Sequence, residues 1–264
     1  MYNRRCDSVN INKYMHVDKF ISHRGANSDF IENTIEAFQI AKDAGFSWFE
    51  TDVQMSSDGE LFLFHDRTPK RFADCDKNVI EMTLAELKQI QLVDSVLKVK
   101  AKIPTLREYL DWASENDVFT NLELKISTQD KKYQQKLVEN VFKILQEYPN
   151  LKTKILISSF SDFVMKLLKK YKNYPQGKLF YTVNWPRDFN YIDKRLYKNY
   201  KQNAYLAIII NYSCLNQQRV NYLKSKFNKI FVYSVHTDCE VKQLLAWDID
   251  AMFIDKKEQL NLSL

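Results

Sequence analysis

Glycine, proline and long hydrophobic runs are scarce in this sequence. The 264 residues include only four glycines and five prolines, and no stretch has the composition of a linker or a low-complexity tail. The longest apolar run, around residues 206–210, has the length of a strand and is far shorter than the ~20 residues of a membrane span. The sequence therefore predicts a single domain over residues 1–264, without integral membrane association.

Paired cysteines and a secretory leader are also lacking. Cys6, Cys75, Cys214 and Cys239 lie far apart with no C-x-x-C pair, which is typical of free thiols in a reducing compartment. Residues 1–20 contain basic side chains but no apolar segment of the length that a signal peptide needs. Together these absences predict a cytoplasmic protein.

The positive charge is spread along the chain rather than concentrated. The formal net charge is +6, and lysines recur at intervals, as at Lys166, Lys169, Lys170 and Lys172. Such a distribution is typical of solvated helix faces with some attraction for anions. No basic tract interleaves with aromatic residues, so the sequence predicts no nucleic-acid partner. No pattern predicts an oligomeric state.

Strand-like and helical segments alternate along the chain. Runs rich in β-branched and aromatic residues predict strands at 20–24, 47–54, 60–65, 119–125, 155–160, 178–183, 204–211, 230–235 and 250–254. Helices are predicted at 34–44, 83–91, 105–115, 130–147, 161–172, 187–200, 215–226 and 238–246. For the first helix, Asn33 is the predicted N-cap and Gly45 the stop. The alternation favours a parallel sheet, and its length favours closure into a (β/α)8 barrel of the TIM type.

The third predicted strand is one more than an eight-stranded barrel needs. A short connection that includes Asp58-Gly59, a hairpin turn signal, links it to the strand before it. Because a parallel crossover needs a dozen or more residues, this strand is predicted to run antiparallel, as an extra hairpin strand after barrel strand 2. A turn centred between Asp58 and Gly59 places Asp52 opposite His65.

Four polar clusters each close a short apolar run in a predicted strand. They are His23-Arg24-Gly25, Glu50-Thr51-Asp52, His65-Asp66 and Glu123-Leu124-Lys125. Because the strand ends of a barrel converge on one rim, we expect these side chains to form one active site. Gly25 is predicted to allow a tight turn or the close approach of a ligand. Carboxylates, imidazoles and cations in one site indicate a phosphodiesterase.

Three carboxylates predict a metal site. Glu50 and Asp52 are two residues apart on one strand, so they share a face at a spacing of about 6.5 Å and repel unless a cation lies between them. Glu123, on the next barrel strand, supplies a third oxygen ligand. An all-carboxylate set suits one divalent hard ion, Mg²⁺ or Ca²⁺, better than Zn²⁺. The alternative is that Glu50 and Asp52 form the exposed face of an edge strand.

His23 and His65 are the predicted catalytic pair. Phosphodiester cleavage needs a base for the nucleophile and an acid for the leaving alkoxide, and both histidines end strands at the same rim. Arg24 and Lys125 are predicted to bind the substrate phosphate, although either could instead pair with a site carboxylate. His236 ends a later strand and is interpreted as structural, with a place in the pocket wall as its alternative.

Together these residues resemble the glycerophosphodiester phosphodiesterases, in particular their cytosolic bacterial members. The resemblance runs from about residue 19 to 255 and is carried by His23-Arg24-Gly25, Glu32-Asn33-Thr34, Glu50-x-Asp52-Val53, Asp58-Gly59, His65-Asp66-x-Thr68 and Glu123-x-Lys125. It implies a (β/α)8 barrel that hydrolyses small-molecule glycerophosphodiesters to sn-glycerol 3-phosphate and an alcohol. It also implies that His23 accepts a proton and that His65 donates one to the leaving group. By the same resemblance, one divalent ion is held by Glu50, Asp52 and Glu123 and binds the phosphate and a glycerol hydroxyl.

Two other functions fit parts of the sequence. A lysophospholipase D-like or sphingomyelinase D-like lipase on a related barrel needs an apolar channel or interfacial surface for an acyl chain, which the dispersed charge does not indicate. A metabolite-binding protein on a catalytically retired enzyme fold usually lacks one histidine or acid, and none is lost here. Tyr233-Ser234-Val235-His236 and Ile254-Asp255 depart from the family pattern, which affects the predicted alcohol rather than the reaction.

Overall fold

The computed structural model describes residues 15–203 and 205–263, in which strands and helices alternate. The strands are β1 (Phe20–His23), β2 (Trp48–Met55), β3 (Leu61–Leu63), β4 (Leu92–Asp94), β5 (Val99–Ala101), β6 (Phe119–Leu124), β7 (Ile155–Ser159), β8 (Gln176–Phe180), β9 (Ala207–Asn211), β10 (Ile230–Val235) and β11 (Ala251–Ile254). The helices are α1 (Ile35–Asp43), α2 (Leu84–Gln89), α3 (Leu106–Glu115), α4 (Lys131–Leu145), α5 (Asp162–Leu167), α6 (Trp185–Asn190), α7 (Tyr197–Asn203), α8 (Gln217–Lys226) and α9 (Asp238–Ala246). A π-helical segment, Tyr191–Leu196, joins α6 to α7.

Eight of these strands close into a parallel barrel, as the sequence predicts. The order around the barrel is β1, β2, β6, β7, β8, β9, β10 and β11, and β11 pairs again with β1. Ser22 lies opposite Ile254 across the closure, and His23 lies opposite Glu50 on the other side. The polar residues that follow the strands therefore meet at one rim, because all eight strands end on the same side.

The core has two layers. Inside the barrel, Ile21, Trp48, Ile209 and Phe231 are buried with their neighbours and fill the end away from the polar rim. Between the barrel and the helices, a larger set of apolar side chains is buried, and Phe38 of α1 is a member of it. Phe38 packs against Tyr109 of α3 with ring centroids 4.7 Å apart. This packing holds the strands whose ends carry the site.

The third strand runs antiparallel to β2, and this prediction is confirmed. Its predicted register is wrong by one residue: Val53 lies opposite Leu63, and the backbone N–H of Phe64 donates to the carbonyl of Asp52 at 3.1 Å. Phe64, rather than His65, is therefore the residue across from Asp52.

The turn explains the register. Residues 57–59 form a three-residue loop, closed by a hydrogen bond from the N–H of Ser56 to the carbonyl of Glu60 at 2.9 Å. Gly59 has a φ of 91°, which is the left-handed position that ends a three-residue hairpin loop. The loop is thus centred on Asp58 and has three residues, not the predicted two at Asp58-Gly59. Every residue pair of the hairpin therefore shifts by one position.

Residues 56–104 form an insertion that stands on the barrel rim. It contains β3, α2 and a hairpin of β4 and β5 that the sequence analysis did not predict. Its own small apolar core includes Phe62, Phe64, Leu87 and Leu92. An antiparallel β-bridge between Phe62 and Thr105, just before α3, attaches the insertion to the barrel.

The first helix begins one residue later than predicted. Thr34, and not Asn33, is the N-cap, and its side chain accepts from the N–H of Ala37 at 3.3 Å. Asn33 instead adopts a φ of 57°. Gly45 ends the helix as expected: it has a φ of 107°, and its N–H donates to the carbonyl of Lys42 at 3.0 Å.

Cys75, Cys214 and Cys239 are free thiols, as the sequence predicts, and Cys6 lies outside the described residues. Of the helices in the described part of the chain, none is both long and apolar enough to cross a membrane.

Candidate active site

The three predicted metal ligands come together on two neighbouring strands. Asp52 of β2 lies opposite Glu123 of β6, and Glu50 precedes Asp52 by two positions on the same face. One carboxylate oxygen from each residue lies within 4.8 Å of those of the other two, and all three side chains are buried. The alternative of an exposed edge strand is therefore wrong.

These carboxylates fit a divalent ion. Oε2 of Glu50 is buried and has no hydrogen-bond partner in the described residues, and Oδ1 of Asp52 is buried with only the ammonium of Lys125 beside it. Burial and the charge of Asp52 raise the pKa of Glu50 well above its ordinary value. Burial acts in the same direction on Asp52, but the charges of Lys125 and Arg24 hold the pKa of Asp52 below its ordinary value. Orphaned buried carboxylate oxygens in one cluster are suitable ligands for a hard cation.

The two predicted phosphate ligands pair with these acids. Nζ of Lys125 lies 3.2 Å from Oδ1 of Asp52 and 3.3 Å from Oε1 of Glu123. Nε of Arg24 lies 3.1 Å from Oδ2 of Asp52, and one terminal nitrogen donates to Oε1 of Glu32 at 3.0 Å. The ion pairs hold both cations at the site, which keeps their remaining donors next to the metal ligands.

His23 is held with one ring nitrogen on each side of the site. Nδ1 donates to Oδ1 of Asp255 at 2.7 Å, and Nε2 lies 3.8 Å from Oε2 of Glu50. Burial and the neighbouring charge of Arg24 lower the pKa of His23 from its ordinary value, against the opposing effect of Asp255. The ring is therefore a neutral imidazole near pH 7, with Nε2 as its open acceptor.

Asp255 is a site residue that the sequence analysis recorded only as part of a departure from the family pattern. Besides His23, it accepts from the side-chain amide of Asn27 at 2.8 Å and from Nδ1 of His236. Although burial opposes it, the hydrogen bonds and charge of His23 and the hydrogen bonds of Asn27 and His236 lower the pKa of Asp255. The signal for Asp255 was its position directly after the last strand.

His65 follows β3 and is oriented by its neighbour. Its Nδ1 donates to Oδ1 of Asp66 at 2.7 Å, and Oδ2 of Asp66 accepts from Nε of Arg71 at 2.7 Å. Although burial opposes the shift, the hydrogen bonds from His65 and Arg71 lower the pKa of Asp66 to about 2. Arg71 also forms two hydrogen bonds to Glu32, at 2.6 and 2.7 Å, so the insertion is tied to the Arg24 side of the site.

Two asparagines also belong to the site, and the sequence analysis did not assign them to it. Asn33 donates to Oδ2 of Asp52 at 3.0 Å and accepts from the hydroxyl of Thr51 at 2.7 Å, which orients the carboxylate. Asn121 lies opposite Glu50 on β6, and neither atom of its buried amide has a hydrogen-bond partner in the described part of the chain. A buried unsatisfied amide beside a cavity is suited to a bound ligand or water.

Two cavities meet at His23 and Arg24. The inner one, of about 210 Å³, is also lined by Glu50, His65, Asn121, Glu123, Lys125, Phe160 and Tyr233. The outer one, of about 540 Å³, is bordered by Asp255 and His236 on the barrel and by Arg71, Phe72, Val93 and Val96 on the insertion. His236 therefore lies in the pocket wall, which was the alternative to its structural interpretation. The pair of cavities offers one space at the carboxylates and a second, larger one on the other side of His23.

The sequence profile of the glycerophosphoryl diester phosphodiesterase family matches residues 23–259, which include every residue of this site. The chain belongs to this family. The family and the enzyme class expected from the sequence are thereby confirmed. A glycerophosphodiester phosphodiesterase from Caldanaerobacter subterraneus subsp. tengcongensis is 27% identical over 245 residues, which are 91% of this chain and 95% of the relative. One from Bacillus subtilis is 25% identical over 246 residues, 88% of this chain and 82% of the relative.

Solved structures share the fold. A phosphodiesterase from Oleispira antarctica, in complex with the product sn-glycerol-3-phosphate, has a TM-score of 0.82 at 23% identity and covers 94% of this chain and 97% of that one. The glycerophosphodiester phosphodiesterase of Thermotoga maritima has a TM-score of 0.72 at 23% identity, covering 95% and 100%. Among the sequence relatives, a lysophospholipase D from Rattus norvegicus is 24% identical over 171 residues, which are 62% of this chain and 52% of the relative.

Proposed function

We propose that the chain hydrolyses glycerophosphodiesters to sn-glycerol 3-phosphate and an alcohol, with one divalent ion at Glu50, Asp52 and Glu123. The observation that carries the proposal is the inner cavity of about 210 Å³, which is lined by two carboxylates of the cluster, two histidines and two cations. The product bound to the structurally similar Oleispira antarctica phosphodiesterase supports the same reaction class.

His23 acts as the base. Its Nδ1–H is held by Asp255, so the ring presents Nε2 to the cavity as an acceptor. Because burial keeps its pKa low, the ring is unprotonated when the substrate binds, and it can take the proton of the glycerol hydroxyl that attacks the phosphorus. The alcohol then leaves and a cyclic phosphate remains, which water opens to sn-glycerol 3-phosphate. In that second step His65 takes a proton from the water, and His23 returns its proton to the glycerol oxygen. Asp255 stabilises the imidazolium that forms, which is the role of a buried carboxylate behind a catalytic histidine.

His65 acts as the acid. Its Nδ1–H is held by the carboxylate of Asp66, so Nε2 is the atom from which a proton passes to the oxygen of the leaving alcohol. The two histidines reach the cavity from different elements, β1 and the hairpin after β2. This placement suits an in-line displacement, in which the attacking and the leaving oxygen lie on opposite sides of the phosphorus.

Arg24 and Lys125 bind the phosphate. Their ion pairs with Asp52 and Glu123 hold them at the carboxylate cluster, where they can neutralise the charge that grows on the phosphate oxygens. A bound divalent ion would supply Lewis-acid polarisation of a phosphate oxygen at the same cluster. All-oxygen ligation suits Mg²⁺ and Ca²⁺ alike. The cytoplasmic location stays a prediction from the sequence.

A panel of glycerophosphodiesters tests this function. Release of sn-glycerol 3-phosphate is measured with and without a chelator, in the wild-type chain and in His65→Gln. His16→Gln is the matched control, because His16 is exposed and pairs with Asp18 outside the site. We expect release that needs metal, falls in His65→Gln and is unchanged in His16→Gln. Two outcomes would contradict the proposal. One is cleavage to glycerol and the phosphate ester of the alcohol, and the other is no release of sn-glycerol 3-phosphate from any member of the panel.

A lysophospholipase D activity is the second candidate, and the outer cavity favours it. Val93 and Val96 border this cavity with exposed fractions of 40% and 86%, which gives an acyl chain an apolar surface beside the site. Comparing glycerophosphocholine with lysophosphatidylcholine decides between the two substrates. If the lipid is preferred, Val96→Ser should lower its turnover and leave that of glycerophosphocholine unchanged.

A further inference from the structure

A third cavity lies on the outside of the barrel, between α5 and the residues Arg195, Asn199 and Tyr205. It has a volume of about 230 Å³ and shares no lining residue with the two cavities at His23. Of the residues that line it, Lys166, Lys169, Lys178 and Arg195 are cationic, and Asp162 is the one carboxylate. We call it the outer anion cavity.

Lys178 occupies a buried position on the helix-facing side of β8. On β8, Leu179 faces the barrel interior, and a side chain at Gly177 would meet Ile209 of the interior core. Lys178 therefore faces the helices, where the residues that flank it on the neighbouring strands are Ser159 and Ile208. Its side chain is only 4% exposed. A buried ammonium at such a position is costly unless its charge and its donors are matched.

The partners of Lys178 match it incompletely. Its ammonium donates to the carbonyl of Phe160 at 2.5 Å and lies 3.2 Å from Oδ1 of Asp162. An ammonium has three donors, so one is left for a ligand. Burial, against the opposing charge and hydrogen bond of Asp162, lowers the pKa of Lys178 from its ordinary value, in keeping with its incomplete set of partners.

Asp162 is also shared. Its second oxygen, Oδ2, lies 3.2 Å from a terminal nitrogen of Arg195, so one carboxylate serves two cations. Lys166 and Lys169 border the same cavity, and neither has an ion pair within the described residues. The wall therefore carries four positive charges and one negative charge, an excess that a dianion offsets better than a monoanion.

We propose that the outer anion cavity is a second binding site, separate from the active site, for a small phosphate-type dianion, either inorganic phosphate or a phosphomonoester. Lys178 is its buried ligand, and Arg195, Lys166 and Lys169 are its solvent-facing ligands. An Arg fork and several ammonium groups are the side chains that bind phosphate oxygens in proteins.

Calorimetric titration of inorganic phosphate into the full chain tests the proposal. The titration is done at low ionic strength, with a chelator present, on the wild type and on Lys166→Gln/Lys169→Gln. The control is Lys170→Gln/Lys172→Gln, which removes the same charge from the same stretch of chain but not from the cavity wall. We expect the Kd to rise about tenfold or more in the first variant and less than about twofold in the control. Equal weakening in both variants, or no weakening in either, would overturn the site.

Phosphate that binds in the active-site cavity is separated by Lys125→Gln. We expect this variant to keep the heat of phosphate binding that Lys166→Gln/Lys169→Gln loses. Loss of all binding heat in Lys125→Gln would assign the phosphate to the active site alone.

Lys178→Met provides a further measurement. It should abolish phosphate binding in the outer anion cavity and leave the Tm of the phosphate-free protein unchanged or higher, because an apolar chain replaces a buried charge. Retained phosphate binding in Lys178→Met would exclude Lys178 as a ligand.

Discussion

Asp255 and His23 form a hydrogen-bonded pair that exists only because the barrel closes. Their side chains meet at 2.7 Å, although one residue ends the first strand and the other follows the last. Ser22 lies opposite Ile254 in the register of β1 and β11, so the next residue of each strand reaches the rim at the same place. The orientation of the proposed base thus depends on the two strands that join the ends of the sheet.

Replacing Asp255 by asparagine should lower kcat by roughly 10²-fold or more, because the ring of His23 loses the carboxylate that selects its tautomer and stabilises its charged form. The pH profile should change as well. Activity needs unprotonated His23, whose pKa burial lowers from its ordinary value, so kcat/KM should rise with pH through a limb on the acidic side of the pKa of a free imidazole. Asp255 opposes that lowering, so the limb of the Asp255→Asn variant should move to still lower pH.

The control for this variant is His236→Asn. His236 contacts the other oxygen of the same carboxylate, Oδ2, from an exposed position, so its replacement should cost less than about tenfold in kcat. A larger loss in His236→Asn than in Asp255→Asn would contradict the assignment of Asp255 as the residue that positions His23.

His65→Ala and His23→Ala should respond differently to the leaving group. Each should lower kcat by about 10²–10⁴-fold on a natural diester, the usual share of a positioned proton carrier. A substrate whose alcohol leaves without protonation should restore the turnover of His65→Ala and not that of His23→Ala. Measured on paired substrates, equal rescue of both variants, or rescue of His23→Ala alone, would reverse the order of acid and base.

The sequence predicts the barrel strands well because each contains a short apolar run of strand length. The helix ends are predicted less well. Residues 161–172 continue past α5 only as a 3₁₀ turn, Leu168–Lys170, and 187–200 fall within a longer, three-part stretch that includes a π-helical segment. The hairpin of β4 and β5 has three residues a strand, which is too short to show an alternation. Its formation depends on the apolar core of the insertion.

The parts of the site that were missed depend on tertiary contacts. The carboxylates, both histidines and both cations lie on or directly after predicted strands, so their convergence follows from the fold class. Asp255 needs the closure of the barrel, and the role of Asn33 needs a left-handed turn that directs its amide to Asp52. The pairing of Asp52 with His65 failed because a dipeptide such as Asp58-Gly59 fits both two-residue and three-residue loops, and only the ladder selects one.

The carboxylate cluster should bind one divalent ion, and Asp52→Asn should weaken that binding and the activity together. The substitution replaces an anionic ligand by a neutral amide, and it also removes the partner of Lys125 and Arg24. Calorimetry with Mg²⁺ and with Ca²⁺ measures the first effect without any turnover. Asp58→Asn, in the hairpin turn outside the cluster, is the control. Unchanged metal affinity in Asp52→Asn would exclude Asp52 as a ligand.

Gly25→Ala and Gly45→Ala test how closely the backbone at the site is packed. Both glycines have left-handed φ angles, 86° and 107°, so each substitution costs about 1–2 kcal/mol of backbone strain. At Gly25 an added Cβ would also lie 2.7 Å from the carbonyl carbon and the Cβ of Ala37, whereas at Gly45 it would meet nothing within 4 Å. Backbone atoms of a helix cannot move aside as a flexible side chain can.

We therefore expect Gly25→Ala to lower the free energy of unfolding, measured by chemical denaturation, by about 2–5 kcal/mol, because overpacking adds about 1–3 kcal/mol to the strain. The same displacement should lower kcat, since Gly25 directly follows His23 and Arg24, while Gly45→Ala should keep its activity. Equal destabilisation of the two variants would show that the turn after β1 tolerates a shift of α1.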